Sequence, residues 1–229
     1  MRVMLAVSVA LWFSAVGYAF TQQAAAPPQR FDFVVRADFF AGYQGDAARL
    51  ERGMARCDEE LAKNPDHAEA LVWRGGGFMF LAGQAFQAGD TQKGMQLWQR
   101  GLGEMNRAVA LAPDDVGVRI PRGALLFEIS RHAPPAQGTP LIKLALDDFE
   151  RSLQIQEKDG YFSKLSSHAK GELLFGLADG WARSGDQQKA REYFARLTKE
   201  ATESGRVQYA SAWLDGKPPA SPGSCTGCH

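Results

Sequence analysis

Three Gly-Asp dipeptides, at 45–46, 89–90 and 185–186, each follow a stretch whose apolar residues recur every three or four positions, and each precedes another such stretch. Glycine ends a helix because it enters the left-handed region without a β-carbon clash, and aspartate caps the next helix by accepting a backbone N–H. Each dipeptide therefore predicts a turn between two antiparallel helices. Two further stretches, Asn64-Pro65-Asp66 and Ala112-Pro113-Asp114-Asp115, separate one pair from the next, since proline is tolerated in a helix's first turn and not in its interior. From Phe31 onward no stretch alternates with period two. The predicted fold class is all-α, built from helix-turn-helix units in tandem.

One helix pair cannot bury both of its apolar faces, whereas neighbours in an array cover one another. The chain has 229 residues, 45% of them hydrophobic, which suffices for one sizeable core or a short stack. Trp73, Trp98, Trp181 and Trp213 fall at helical spacing and are read as packing residues. The run Gly75-Gly76-Gly77 costs roughly 2 to 3 kcal/mol against alanines in a helix interior, so it implies close backbone contact between helices, or a break. No strand precedes it and no Gly-Lys-Ser/Thr follows, which excludes a phosphate loop. Between Pro65 and Pro113 the second unit needs helices longer by several turns. In the third, the stretch His132 to Pro140 is rich enough in proline to predict a non-helical loop in place of the tight turn. Cys57 lies on an amphipathic segment and is expected to be a small buried hydrophobe.

The fourth unit carries the most complete pattern. Leu174, Leu177, Ala178 and Trp181 share one face of its first helix, Gly185-Asp186 makes the turn, and Ala190, Phe194 and Leu197 face inward from the second. With these residues the chain resembles the tetratricopeptide repeat family, over about four units between residues 32 and 204. The resemblance implies a short right-handed solenoid whose concave surface docks protein partners, redox proteins among them. A short helix from Arg206 to Leu214 is expected to cap the stack. The repeat domain is thus placed at 32–214.

At the other end, Arg2 precedes an apolar run from Val3 to Val16, and Gly17-Tyr18-Ala19 offers small residues around a bulky one. This pattern predicts a signal peptide over 1–19, removed after Ala19, with 20–31 as a polar Ala/Pro-rich linker. The run is shorter than the roughly 20 residues of a membrane span, so no span is expected after cleavage; a retained anchor is the alternative. Export places the chain in the periplasm or outside the cell of a bacterium.

Residues 215–229 read as a flexible tail, since Gly216 to Ser224 holds three prolines, two glycines and no large apolar side chain. The tail carries Cys225-Thr226-Gly227-Cys228-His229. Two cysteines three apart with histidine next is the spacing at which a haem's vinyl groups are captured as thioethers while the imidazole binds the iron. Cys225 and Cys228 are therefore the predicted attachment points of one haem c, and His229 its proximal ligand. For the sixth position the candidates are His67, His132, His168 and the methionines Met54, Met79, Met95 and Met105. His132 is favoured by its place in the irregular proline-rich stretch. Ordinary capping or surface roles suit His67 and His168, and core filling suits the methionines.

Competing chemistries find less support. Lys plus Arg and Asp plus Glu balance at 26 each, which leaves no basic stripe for nucleic acid. The paired acids Asp114-Asp115 and Asp147-Asp148 read as caps or structural groups, and there is no Ser elbow or His-Glu-x-x-His helix, so no enzyme activity is expected. Taken together, the expectation is an exported repeat protein that passes electrons to a partner through a tail-borne haem. Its alternative is a periplasmic scaffold whose tail is a disulfide or a non-haem metal site. Self-association, with one molecule's haem entering the next molecule's array, is a further expectation.

Overall fold

A computed structural model describes residues 30–217. The predicted leader, the Cys225–His229 motif and most of the linker and tail lie outside the described residues. Within them the chain forms α1 (Phe31–Tyr43), α2 (Ala47–Lys63), α3 (Ala68–Gln87), α4 (Thr91–Leu111), α5 (Val116–His132), α6 (Pro135–Lys158), α7 (Ser167–Ser184), α8 (Gln187–Glu200) and α9 (Val207–Leu214). A 3-10 turn at Phe162–Lys164 precedes α7, and no strand occurs among the described residues.

The Gly-Asp turns form as their chemistry requires. Gly45, Gly89 and Gly185 hold φ of 107°, 80° and 97°, a region in which a β-carbon would be strained. The aspartate that follows each caps the next helix: Asp46 accepts from the Arg49 N–H, Asp90 from Lys93 and Asp186 from Lys189. Other junctions use other acceptors. Asp115 caps α5 through the Gly117 N–H, His67 caps α3 through Ala70, and Ser166 caps α7 through Ala169.

These turns make four hairpins, α1 with α2, α3 with α4, α5 with α6 and α7 with α8, and each packs on its neighbours. The first helices of successive pairs touch, α1 on α3, α3 on α5 and α5 on α7, while α2 also lies on α3 and α6 on α7. The buried apolar residues consequently form one continuous core. In the fourth pair Leu174, Leu177, Ala178, Ala190, Phe194 and Leu197 are fully buried. Its outer face is closed by α9, where Trp213 stacks on Phe194 with ring centroids 4.6 Å apart and Tyr209 meets Phe175 edge-on.

One expectation fails. The stretch from His132 to Pro140 is not a loop: α5 runs through His132, the turn consists of Ala133 and Pro134 alone, and α6 begins at Pro135. Pro135 sits where an N–H would have had no partner, and Pro134 is in extended backbone as the cap. Pro140, six residues in, leaves one i−4 carbonyl without its N–H, on an exposed face where water can reach it. The Thr139 hydroxyl donates back one turn to the Pro135 carbonyl at 2.8 Å. Pro121 occupies the same sixth position in α5. Both prolines thus stand one turn deeper than first-turn tolerance suggests.

A single contact recurs in three of the hairpins. An Arg-Gly dipeptide on one helix faces an acid followed by a large apolar residue on the other. Arg52-Gly53 faces Asp38-Phe39, Arg74-Gly75 faces Glu104-Met105, and Arg122-Gly123 faces Asp148-Phe149. The arginine bonds the carboxylate through two nitrogens each time, at 3.0 and 2.6 Å, 2.8 and 2.9 Å, and 2.7 and 2.8 Å in that order. Beside it the glycine lies where a β-carbon would fall 3.1 Å from the Phe39 ring, 2.7 Å from Met105 Cγ and 2.7 Å from the Phe149 ring. Glycine lets the helices close, and the guanidinium seals the edge of the contact. The order is reversed in the first hairpin, where the acid comes on the earlier helix.

Candidate functional site

Cys225, Cys228 and His229, the residues to which the haem prediction attaches, lie outside the described residues. As a donor set, two thiols and an imidazole suit thioether attachment and axial ligation of a porphyrin iron. Among the described residues no group of three or more His, Cys, Asp or Glu side chains is placed to hold a metal ion.

The candidates for a sixth ligand are scattered. His132 stands at the C-terminal end of α5, its side chain 78% exposed and Nε2 3.3 Å from Glu128 Oε1. The residue is therefore on a helix rather than in the irregular stretch that favoured it, one turn beyond the carboxylate that orients its ring. His67 is committed elsewhere: Nδ1 caps α3, and the ring packs on Phe31 with centroids 5.1 Å apart. His168 is exposed in the first turn of α7. Met79 and Met105 are buried at the α3–α4 contact, and Met54 is partly buried with its sulfur against Gly77, as expected of core filler. Met95 differs, being exposed on α4.

The acids are structural where they are buried. Asp38 collects Arg49, Arg52 and Arg56 from α2, and Arg52 foremost, with Arg49, holds its carboxyl down at about 2. Asp148 is fully buried; desolvation pushes its pKa up, against the pull of Arg122 and then Arg119. The difference follows from depth, because the Asp38 arginines stand at the surface and those of Asp148 are themselves buried. Asp147, Asp114 and Asp115 complete the paired acids: Asp147 binds Arg119, Asp114 binds Arg151, and Asp115 is a cap. Asp179, on α7, ties Arg131 of α5 across the hairpin boundary at 2.7 Å. Burial pushes the Cys57 thiol up to about 12, which removes the thiolate that nucleophilic chemistry needs. Cys57 is thus the buried hydrophobe its helix predicts.

Among the cavities of the described surface are two between packed helices. The larger, about 260 Å³, lies where the α1–α2 turn meets α3 and is lined chiefly by Leu50, Met54, Phe80 and Leu81, with Glu51 and Gln84 at its edge. The smaller, about 70 Å³, lies among α5, α6 and α7 and holds Gln156, a residue the sequence reading passed over. No local signal sets Gln156 apart on α6, and only the packed structure shows it as buried. Comparison with family models, curated proteins and solved structures finds no match to this chain.

Proposed function

We propose that this is an exported protein of the tetratricopeptide-repeat type, in which four stacked hairpins form a short solenoid that docks a protein partner. A single haem c on Cys225 and Cys228, with His229 as proximal ligand, moves electrons to or from that partner. The observation that carries the haem reading is the Cys225-Thr226-Gly227-Cys228-His229 spacing, and the one that supports the repeat reading is the recurrence of Gly-Asp turns between packed helix pairs. When bound, the group supplies one-electron redox chemistry at iron. This chain's residues supply the thioether sulfurs, one imidazole and a rigid array beside them. His132, exposed at the end of α5, is the proposed sixth ligand.

The test is intact mass together with a pyridine haemochrome spectrum, on protein secreted by a host with cytochrome c maturation. The expected result is one haem per chain and its loss in the Cys225→Ser, Cys228→Ser variant. A colourless, correctly processed protein of unmodified mass overturns the haem reading. The second reading, a docking scaffold without haem, then stands. It is favoured by the core, which runs unbroken from α1 to α9 as an array of helix pairs requires. The two separate cleanly if the serine variant retains the same partners at equal affinity.

A further inference from the structure

In the first hairpin three guanidiniums converge on one carboxylate. Arg49, Arg52 and Arg56 of α2 all bind Asp38, whose side chain is 3% exposed while theirs are 35, 51 and 41% exposed. Comparable clusters elsewhere in the array balance. Around Glu104 the arginines Arg74 and Arg100 are matched by a second acid, Asp58. Around Asp148, Arg119 and Arg122 are matched by Asp147, and around Asp179, Arg131 and Arg183 are matched by Glu128. Among the described residues no second acid pairs with the Asp38 arginines, so this cluster holds two guanidiniums more than its buried carboxylate neutralises.

One arginine already satisfies Asp38, since Arg52 takes both oxygens, at 3.0 and 2.6 Å. Arg49 and Arg56 each add one bond to it and give another to a carbonyl of α1, that of Ala37 and of Val34. Those bonds hold two long side chains against α1, where an unbound arginine would keep its rotamer freedom in water. Nη1 of Arg49 and Arg52 and Nη2 of Arg56 take no part in them and remain as donors. Beside the guanidiniums, Phe33 and Val34 of α1 are 54% and 41% exposed. Arg36, paired with Asp32, lies over the Phe33 ring at 4.7 Å.

The positive stretch is short and bounded. From Arg49 to Arg56 the helix rises about 10 Å, with Asp46 before it and Glu59 and Glu60 after it. Asp46 is the cap of α2, and Glu60 pairs with Lys63. A broad anionic surface would meet these acids together with the arginines, whereas a pair of carboxylates one helical turn apart would meet the arginines alone. The chain outside the described residues carries no Asp or Glu, so the complement comes from another molecule.

We infer that the α1–α2 face around Asp38 docks an acidic segment of a protein partner, whose carboxylates take up the Arg49 and Arg56 guanidiniums while an apolar neighbour rests on Phe33 and Val34. The inference rests on the docking half of the proposed function and is independent of the tail and its haem.

The experiment titrates the full secreted chain, labelled with ¹⁵N, with an acetylated helical peptide that repeats Glu-Ala-Leu-Glu and so sets Glu and Leu on adjoining faces. Saturable ¹H–¹⁵N shifts are expected at the Phe33, Val34, Arg49 and Arg56 amides at about 50 mM salt, with binding at least about tenfold weaker at about 0.5 M, where screening acts within a few ångströms. The same peptide with Gln in place of Glu should not bind. Arg49→Gln with Arg56→Gln leaves the Arg52 fork on Asp38 and should weaken the acidic peptide about tenfold, as two surface ion pairs each contributing about a factor of three would. Arg49→Lys with Arg56→Lys keeps the charge and should hold the affinity within about threefold. The inference is overturned if the acidic peptide does not saturate, if the Gln peptide binds equally, or if the glutamine pair changes nothing. A lysine pair that loses as much as the glutamine pair overturns it too, as do phosphatidylglycerol vesicles that displace the peptide, or a dimer in sedimentation that the glutamine pair dissolves. Haem content plays no part in the readout. A partner that the array binds equally well with the glutamine pair in place would sink this inference and leave the docking reading standing, so the two fail separately.

Discussion

Two glycines of one helix, Gly75 and Gly83 of α3, should respond to the same substitution with opposite signs. Replacing either with alanine gains about 1 kcal/mol of helix propensity, because backbone and chain are otherwise alike. Gly83 has nothing within 4 Å of its β-carbon position, so that gain is realised. At Gly75 the new methyl falls 2.7 Å from the Gly101 carbonyl oxygen, 2.7 Å from Met105 Cγ and 3.1 Å from the Met105 nitrogen. Ordinary contact begins near 3.4 Å, so α4 must withdraw by several tenths of an ångström, and its backbone cannot turn aside as a side chain would. Overpacking of that kind costs about 1–3 kcal/mol, and a backbone clash belongs at the upper end. Net of propensity, Gly75→Ala should lose about 2 kcal/mol while Gly83→Ala gains about 1. For a chain of this size the shifts in Tm are about 4–8 °C down and about 2–4 °C up. Thermal melts followed by circular dichroism at 222 nm, both variants in one buffer, measure the pair. If Gly75→Ala melts higher than the parent, the close α3–α4 crossing is wrong.

Two other outcomes are expected. Asp38 is held down at about 2 in the fold against the usual 3.8, so its stabilisation is present above about pH 4 and lost as pH falls through about 2. The shift corresponds to about 2 kcal/mol, reduced to about 1 because the three arginines are a third to a half exposed. Asp38→Asn should therefore melt lower than the parent at pH 6 and converge with it near pH 2; a gap that ignores pH would show that the ion pairs contribute nothing. Cys57, its thiol raised from 9.0 to about 12, should react with a disulfide reagent at pH 8 about a thousandfold more slowly in the folded Cys225→Ser, Cys228→Ser protein than in urea. Equal rates would place it at the surface.

Much of the helical scaffold is legible in short stretches of the chain. A Gly-Asp turn needs only a left-handed residue and an acceptor one position later, and Asp46, Asp90 and Asp186 cap their helices as those few residues dictate. The extended second hairpin, the terminal helix α9 and the burial of Cys57 follow from periodicity in the same way. The proline-rich stretch after His132 was misread because composition alone does not say which residue is first in a helix. Pro135 takes that place, Pro134 caps it, and Pro140 lies within the helix at the cost of one backbone hydrogen bond on an exposed face. The Arg-Gly dipeptides at 52–53, 74–75 and 122–123 were visible too, yet nothing local marks them as partners of Asp38, Glu104 and Asp148.

By itself, then, the sequence determined the helical class and the Gly-Asp turns, along with the Cys225–His229 spacing, because each depends on groups within a few positions of one another, while the α5–α6 boundary escaped it. Tertiary structure alone decided which arginine meets which acid, why Gly75 is required where Gly83 is not, and that Gln156 is shut in beside an open cavity. Those outcomes come from groups brought together across helices, where distance along the chain carries no information about distance in space.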